Sequence, residues 1–125
     1  MHNLLVVDHD YATRLMMANG LRTIRCDVTD AETGTEAAWL LEHRKFDLTI
    51  IDLLVPGVPA RQVVQHALER RIPVLLTSDD HDMLARFDRL GLPWLAKPFR
   101  LADLLHKARQ LLHDIELHLQ RCRRG

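Results

Sequence analysis

Short apolar runs alternate with longer segments of helical period along the chain. Residues 4–7, 48–51 and 74–76 are nearly unbroken stretches of Leu, Ile and Val, with one Thr. Continuous rather than alternating apolarity is the pattern of strands buried on both faces. Residues 94–96 and 26–29 predict two further, weaker strands. The intervening segments place apolar residues at helical spacing. Ala12, Leu15 and Met16 share one face of a first helix, with Gly20 as its stop. Ala37, Leu40 and Leu41 share a second; Val64, Ala67 and Leu68 a third; Leu84, Phe87 and Leu90 a fourth. The last helix has the longest stripe, through Leu101, Leu104, Leu105, Ala108, Leu111, Leu112, Ile115 and Leu119. Pro56 and Pro73 fall in connections, where a missing N–H costs nothing.

Strand followed by helix, five times over, predicts an α/β fold: a doubly wound, five-stranded parallel sheet with helices on both faces. Such sheets collect polar function beyond the carboxyl ends of their strands. Here the first strand runs into Asp8, the third into Asp52, the fourth into Thr77 and Ser78, and the fifth into Lys97. Two carboxylates, a hydroxyl and an ammonium are thereby expected at one rim. Singly, each has a plainer explanation as a turn former, helix cap or solvated side chain. Their coincidence on four strand ends favours a site. A rim carboxylate can attack phosphorus to form an acyl phosphate, provided its charge is neutralised. Mg2+ held by Asp8 and Asp52, with Asp10 as an optional third ligand, would supply part of that neutralisation. Lys97 and a hydroxyl from Ser78 or Thr77 would contact phosphate oxygens. Asp52 is the expected nucleophile because it ends the strand predicted to be central.

Composition narrows the alternatives. With 125 residues, 47% hydrophobic and 27% charged, the chain reads as one globular domain over residues 1–125, with a long C-terminal helix and a short basic tail from about residue 120. Seventeen Lys and Arg balance seventeen Asp and Glu, which argues against a nucleic-acid or membrane-surface binder. Cys26 and Cys122 make no disulfide framework, no apolar run suits a membrane span, and acids follow the first apolar run too soon for a signal peptide. A cytoplasmic location is the expectation. His106 and His113, seven apart on the last helix, lack companions for a metal set.

The segments Val6-Val7-Asp8 with Arg14, Asp47 to Leu53 with Pro56-Gly57, Pro73 to Ser78, and Lys97-Pro98-Phe99 resemble the bacterial two-component response-regulator receiver family. The likeness covers about residues 3–112. It implies a flavodoxin-like sheet of order 2-1-3-4-5 and a phosphoacceptor, not an enzyme of metabolic turnover. In that likeness Asp52 accepts the phosphoryl group, Asp8 belongs to the acidic pocket with His9 and Asp10, Ser78 is the switch hydroxyl, Lys97 contacts phosphate and Trp94 is the switch aromatic. It further implies a cis Lys97–Pro98 bond, a histidine kinase or histidine phosphotransfer protein as donor, and a downstream protein target. The long last helix would also suit a homodimer.

The sequence departs from the family in four places. His9 stands where a second acid is usual, and imidazole is a poor magnesium ligand, so weak magnesium binding is expected. Leu54 stands where the family positions hydrolytic water, so slow self-dephosphorylation is expected. Pro59-Ala60 replaces the usual Asp-Gly, and the stretch before Lys97 is short, which predicts a clipped fourth helix. Two competing functions follow. One is a degenerate receiver acting as a phosphorylation-independent binding module. The other, resting on Asp8-His9-Asp10, is a phosphatase of the haloacid-dehalogenase type using Asp8; Ala12 departs from that motif.

Overall fold

The computed structural model describes residues 1–124; Gly125, the last residue of the expected basic tail, lies outside them. The elements run β1 (His2–Val7), α1 (Tyr11–Arg22), β2 (Cys26–Ala31), α2 (Gly34–His43), β3 (Leu48–Asp52), α3 (Ala60–Glu69), β4 (Val74–Ser78), α4 (His81–Asp88), β5 (Trp94–Ala96) and α5 (Leu101–Arg124). All four strand pairings are parallel, in the order β2-β1-β3-β4-β5. This is the expected flavodoxin-like α/β sheet, with helices on both faces.

Alternation along the strands divides the core into two layers. Leu5, Val7, Ile51, Val74 and Leu76 pack under α2, α3 and α4. Leu4, Val6, Leu48, Ile50 and Leu75 pack under α1 and α5. The central strands β1, β3 and β4 are mostly apolar because both faces are covered, whereas the edge strands β2 and β5 are partly exposed. The basic residues Arg121, Arg123 and Arg124 continue α5 rather than forming a separate tail.

Two expectations about α1 are corrected. Its buried face is Arg14, Met17, Ala18, Gly20 and Leu21, whereas Leu15 and Met16 are 43% and 37% exposed. A charged residue on the core face, Arg14, breaks the apolar stripe that would have revealed it. Gly20 does not end the helix. It sits inside α1, where a Cβ would run into the side chain of Leu101, so it gives α5 room to pack close. Leu68 and Leu90, expected on core faces, are largely exposed, and Val63 takes the buried place on α3. The fourth helix is short, eight residues.

The loop after β3 is pinned to the start of α2. Gly34 N–H donates to Pro56 O at 2.8 Å and Val58 N–H donates to Thr35 Oγ1 at 3.0 Å. Gly57 supplies the left-handed backbone of the turn, at φ 84°. A Cβ on Gly34 would overlap the Val58 carbonyl oxygen, a backbone atom that cannot swing aside. Gly34→Ala is therefore expected to destabilise the fold by about 1–3 kcal/mol. An unchanged midpoint in thermal denaturation would contradict this packing.

Candidate functional site

Strand parity explains how distant residues meet. Asp8 continues the Leu4–Val6 side of β1, Asp52 the Leu48–Ile50 side of β3, and Lys97 the Leu95 side of β5. All three lean toward the face covered by α1 and α5, at the carboxyl rim of the sheet. There the Lys97 ammonium donates to Asp8 Oδ2 at 2.7 Å and to Asp52 Oδ2 at 3.0 Å. The remaining carboxylate oxygens are held by backbone. Asp8 Oδ1 accepts from Asp10 N–H at 2.9 Å and Asp52 Oδ1 accepts from Leu54 N–H at 3.1 Å. Asp8 is shut in, its side chain 1% exposed, while Asp52 is more open at 13%.

Burial works against the charge on Lys97, but the hydrogen bonds and charges of Asp8 and Asp52 outweigh it. The ammonium's pKa stands above the ordinary lysine value of 10.5. A group raised in this way stabilises the fold fully below its unfolded pKa and loses that contribution only as pH climbs through the folded value. The ammonium's contribution is therefore unaffected by pH across the neutral range.

The other expected residues stand differently. Asp10 is the N-cap of α1: its Oδ2 accepts from Thr13 N–H at 2.9 Å and from Thr13 Oγ1 at 2.6 Å. The Thr13 hydroxyl and backbone bonds lower its pKa. Its carboxylate thus serves the helix instead of joining Asp8 and Asp52. His9 is exposed beside it. Ser78 and Thr77 are both fully buried. Ser78 Oγ accepts from Asp80 N–H at 3.0 Å, whereas Thr77 Oγ1 has no hydrogen-bond partner. Thr77 is the register partner of Asp52, and Ser78 lies one residue farther toward the rim. The Trp94 indole N–H donates to Asp88 Oδ1 at 2.8 Å, tying β5 to the end of α4. The Lys97–Pro98 bond is cis.

One positioning residue has no role in the sequence argument beyond its place in the motif. Arg14 donates to the Asp8 carbonyl at 2.9 Å and to Asp30 Oδ2 at 2.9 Å, fixing the turn that carries Asp8, His9 and Asp10. The only sequence signal was an arginine on a helix that must pack against the sheet.

Among the described residues, no three His, Cys, Asp or Glu side chains cluster as a metal-holding group. Asp8 and Asp52 alone are a donor set that magnesium accepts, because that ion keeps most of its waters and takes one or two carboxylates plus phosphate oxygens. The pair fits a hard-cation site, and the Lys97 ammonium bridges both acids.

No family model matches the chain. The chain is 30% identical over 111 residues to the positive alginate biosynthesis regulatory protein of Pseudomonas aeruginosa, an alignment covering 82% of this chain and 44% of that protein. It is 31% identical over 114 residues to the response regulator MprA of a Mycobacterium strain, covering 87% and 50%. It thus spans about half the length of these relatives. Among solved structures, a CheY-like response regulator receiver domain protein from Methanospirillum hungatei superposes with a TM-score of 0.86 at 20% identity, over 94% of this chain and 98% of that one. The receiver domain of a Pseudomonas aeruginosa sensor histidine kinase, solved with a magnesium ion coordinated in its active-site cleft, gives 0.79 at 20% identity, over 90% and 98%.

Proposed function

Given that this chain is a receiver domain of the response-regulator family, we propose that it acts in two-component signalling by accepting a phosphoryl group on Asp52. The observation that carries the reading is the Lys97 ammonium held between two strand-end carboxylates, of which Asp52 is the more open. The donor is the phosphohistidine of a histidine kinase or histidine phosphotransfer protein. An Asp52 carboxylate oxygen forms a bond to phosphorus as the phosphorus–nitrogen bond breaks, and the imidazole nitrogen keeps the bonding pair. Lys97 offsets the charge gathering on the phosphoryl oxygens. A hydroxyl of Ser78 or Thr77, both at the end of β4 beside Asp52, donates to a phosphoryl oxygen. When bound to Asp8 and Asp52, magnesium supplies positive charge to the transferring group; its affinity is weak because His9 contributes no carboxylate.

The downstream target is a protein, with Trp94 as the switch aromatic, and the exposed end of α5, including Leu119, suits a second copy of the chain. The reading takes residues 1–125 as one receiver unit working in the cytoplasm. Leu54 is 55% exposed and carries no group to orient water. The acyl phosphate is accordingly expected to persist for minutes or longer after excess donor is removed; decay within seconds would contradict it.

A second reading, a degenerate receiver that binds partners without phosphorylation, is favoured by His9, which brings no carboxylate to the pocket. Incubation with acetyl phosphate and magnesium, read by intact mass, separates the two: one added phosphoryl group supports the proposal, and none supports the degenerate module. A phosphatase using Asp8 is disfavoured by that carboxylate's burial and its fully engaged oxygens.

A further inference from the structure

Between the start of α3 and one face of α4 lies a groove of 310 Å³ lined by Leu53, Pro59, Ala60, Met83, Phe87 and Leu90, with Arg61 and Arg86 also lining it. Its floor is core: Leu53 and Ala60 are almost wholly buried. Its outer wall is unusual for a surface. Met83, Phe87 and Leu90 recur at helical spacing along and just past α4, yet Leu84 alone is the buried residue of that helix. Leu90 is 72% exposed. Met83 and Phe87 rest partly on the core while Leu90 stands clear of it, so this side of the helix keeps apolar surface at the groove, and apolar surface gathered in a concave site marks a contact region.

Charge says what kind of contact. The two ionic residues lining the groove are both arginines, and no acid lines it. Among the described residues neither Arg61 nor Arg86 has an ion-pair partner, so both guanidiniums are open to the acids of a ligand. Two unpaired guanidiniums flanking an apolar slot are complementary to large apolar side chains with carboxylates on either side. The groove contains no buried polar group that would orient a small molecule, and its volume lies at the low end for such ligands.

We propose that this groove between α3 and α4 docks a short amphipathic helical segment of a partner protein, through one or two large apolar anchors flanked by Asp or Glu. The site is distinct from the Asp8–Lys97–Asp52 cluster, and binding does not require phosphorylation of Asp52.

The test uses the full chain, isotopically labelled for amide NMR. The probes are a short synthetic amphipathic helix with Leu and Phe on one face and Glu on the other, and its twin with Lys in place of every Glu. The Glu peptide should shift Leu53, Ala60, Met83, Phe87 and Leu90 saturably, while the Lys twin leaves them unmoved at the same concentration. Arg61→Glu with Arg86→Glu, both exposed positions, should reverse the preference, weakening the Glu peptide by about tenfold or more. Leu90→Ser, also exposed, should weaken it without disturbing the dispersion of the spectrum. The proposal is overturned if both peptides bind alike, if neither shifts these residues, or if the shifts fall elsewhere. Concentration-dependent shifts of the same residues without peptide would also overturn it, since the occupant would then be a second copy of the chain.

Discussion

Lys97→Met should destabilise the fold by on the order of 3 kcal/mol at neutral pH, the scale for removing one partner of a buried ion pair. The cost arises because Asp8, with its side chain 1% exposed, keeps its charge but loses the ammonium 2.7 Å away. Only the Asp10 N–H then remains to satisfy it. Asp52 loses the same counterion and stands near a second uncompensated carboxylate. The sign of the pH dependence follows. Without Lys97, desolvation and mutual repulsion penalise the two carboxylates only while they are charged, so the penalty is full at neutrality and vanishes as acid neutralises them. Urea denaturation of both proteins across pH should show a gap that is wide at neutrality and narrows in acid. A gap that is independent of pH would mean that Lys97 contributes packing rather than charge.

The second large effect concerns the metal. His9→Asp should tighten magnesium binding by about tenfold or more, since a unit charge a few ångströms from a divalent ion is worth several kcal/mol at the effective dielectric of a protein surface, before the cost of stripping water is deducted. The substitution is on an exposed position, so the fold should tolerate it. Calorimetric titration with magnesium chloride measures it directly. Equal affinities in the two proteins would show that the missing acid is not what limits the site. Asp10 offers no compensation in the native chain, because its carboxylate is committed to Thr13 at the head of α1.

Much of this arrangement is written in the sequence. Unbroken runs such as residues 48–51 and 74–76 can only be strands covered on both sides, and a parallel sheet delivers strand-end residues to one rim. Strand ends so delivered put Asp8, Asp52 and Lys97 side by side, and the three form one hydrogen-bonded cluster. What the sequence hid has a common cause: polar residues used structurally look the same as polar residues used chemically. Asp10 read as an optional metal ligand and is a helix cap. Arg14 interrupted the apolar stripe of α1, so its buried face was assigned to Ala12, Leu15 and Met16 instead of Met17, Ala18 and Leu21. Gly20 reads as a stop because its purpose, clearance for Leu101, lies 81 residues away. Thr77 and Ser78 are equal candidates in the sequence because both end β4; Thr77 pairs with Asp52 in register, and Ser78 is one residue nearer the rim.

The central claim is that Asp52 bonds phosphorus, and site mapping tests it most directly. The chain is incubated with acetyl phosphate and magnesium, the acyl phosphate is reduced with borohydride, and the peptides are read by mass spectrometry. The account predicts a single modified residue, Asp52, and no modification at all in Asp52→Asn. Modification at Asp8, or equal labelling of the Asn variant, would contradict it.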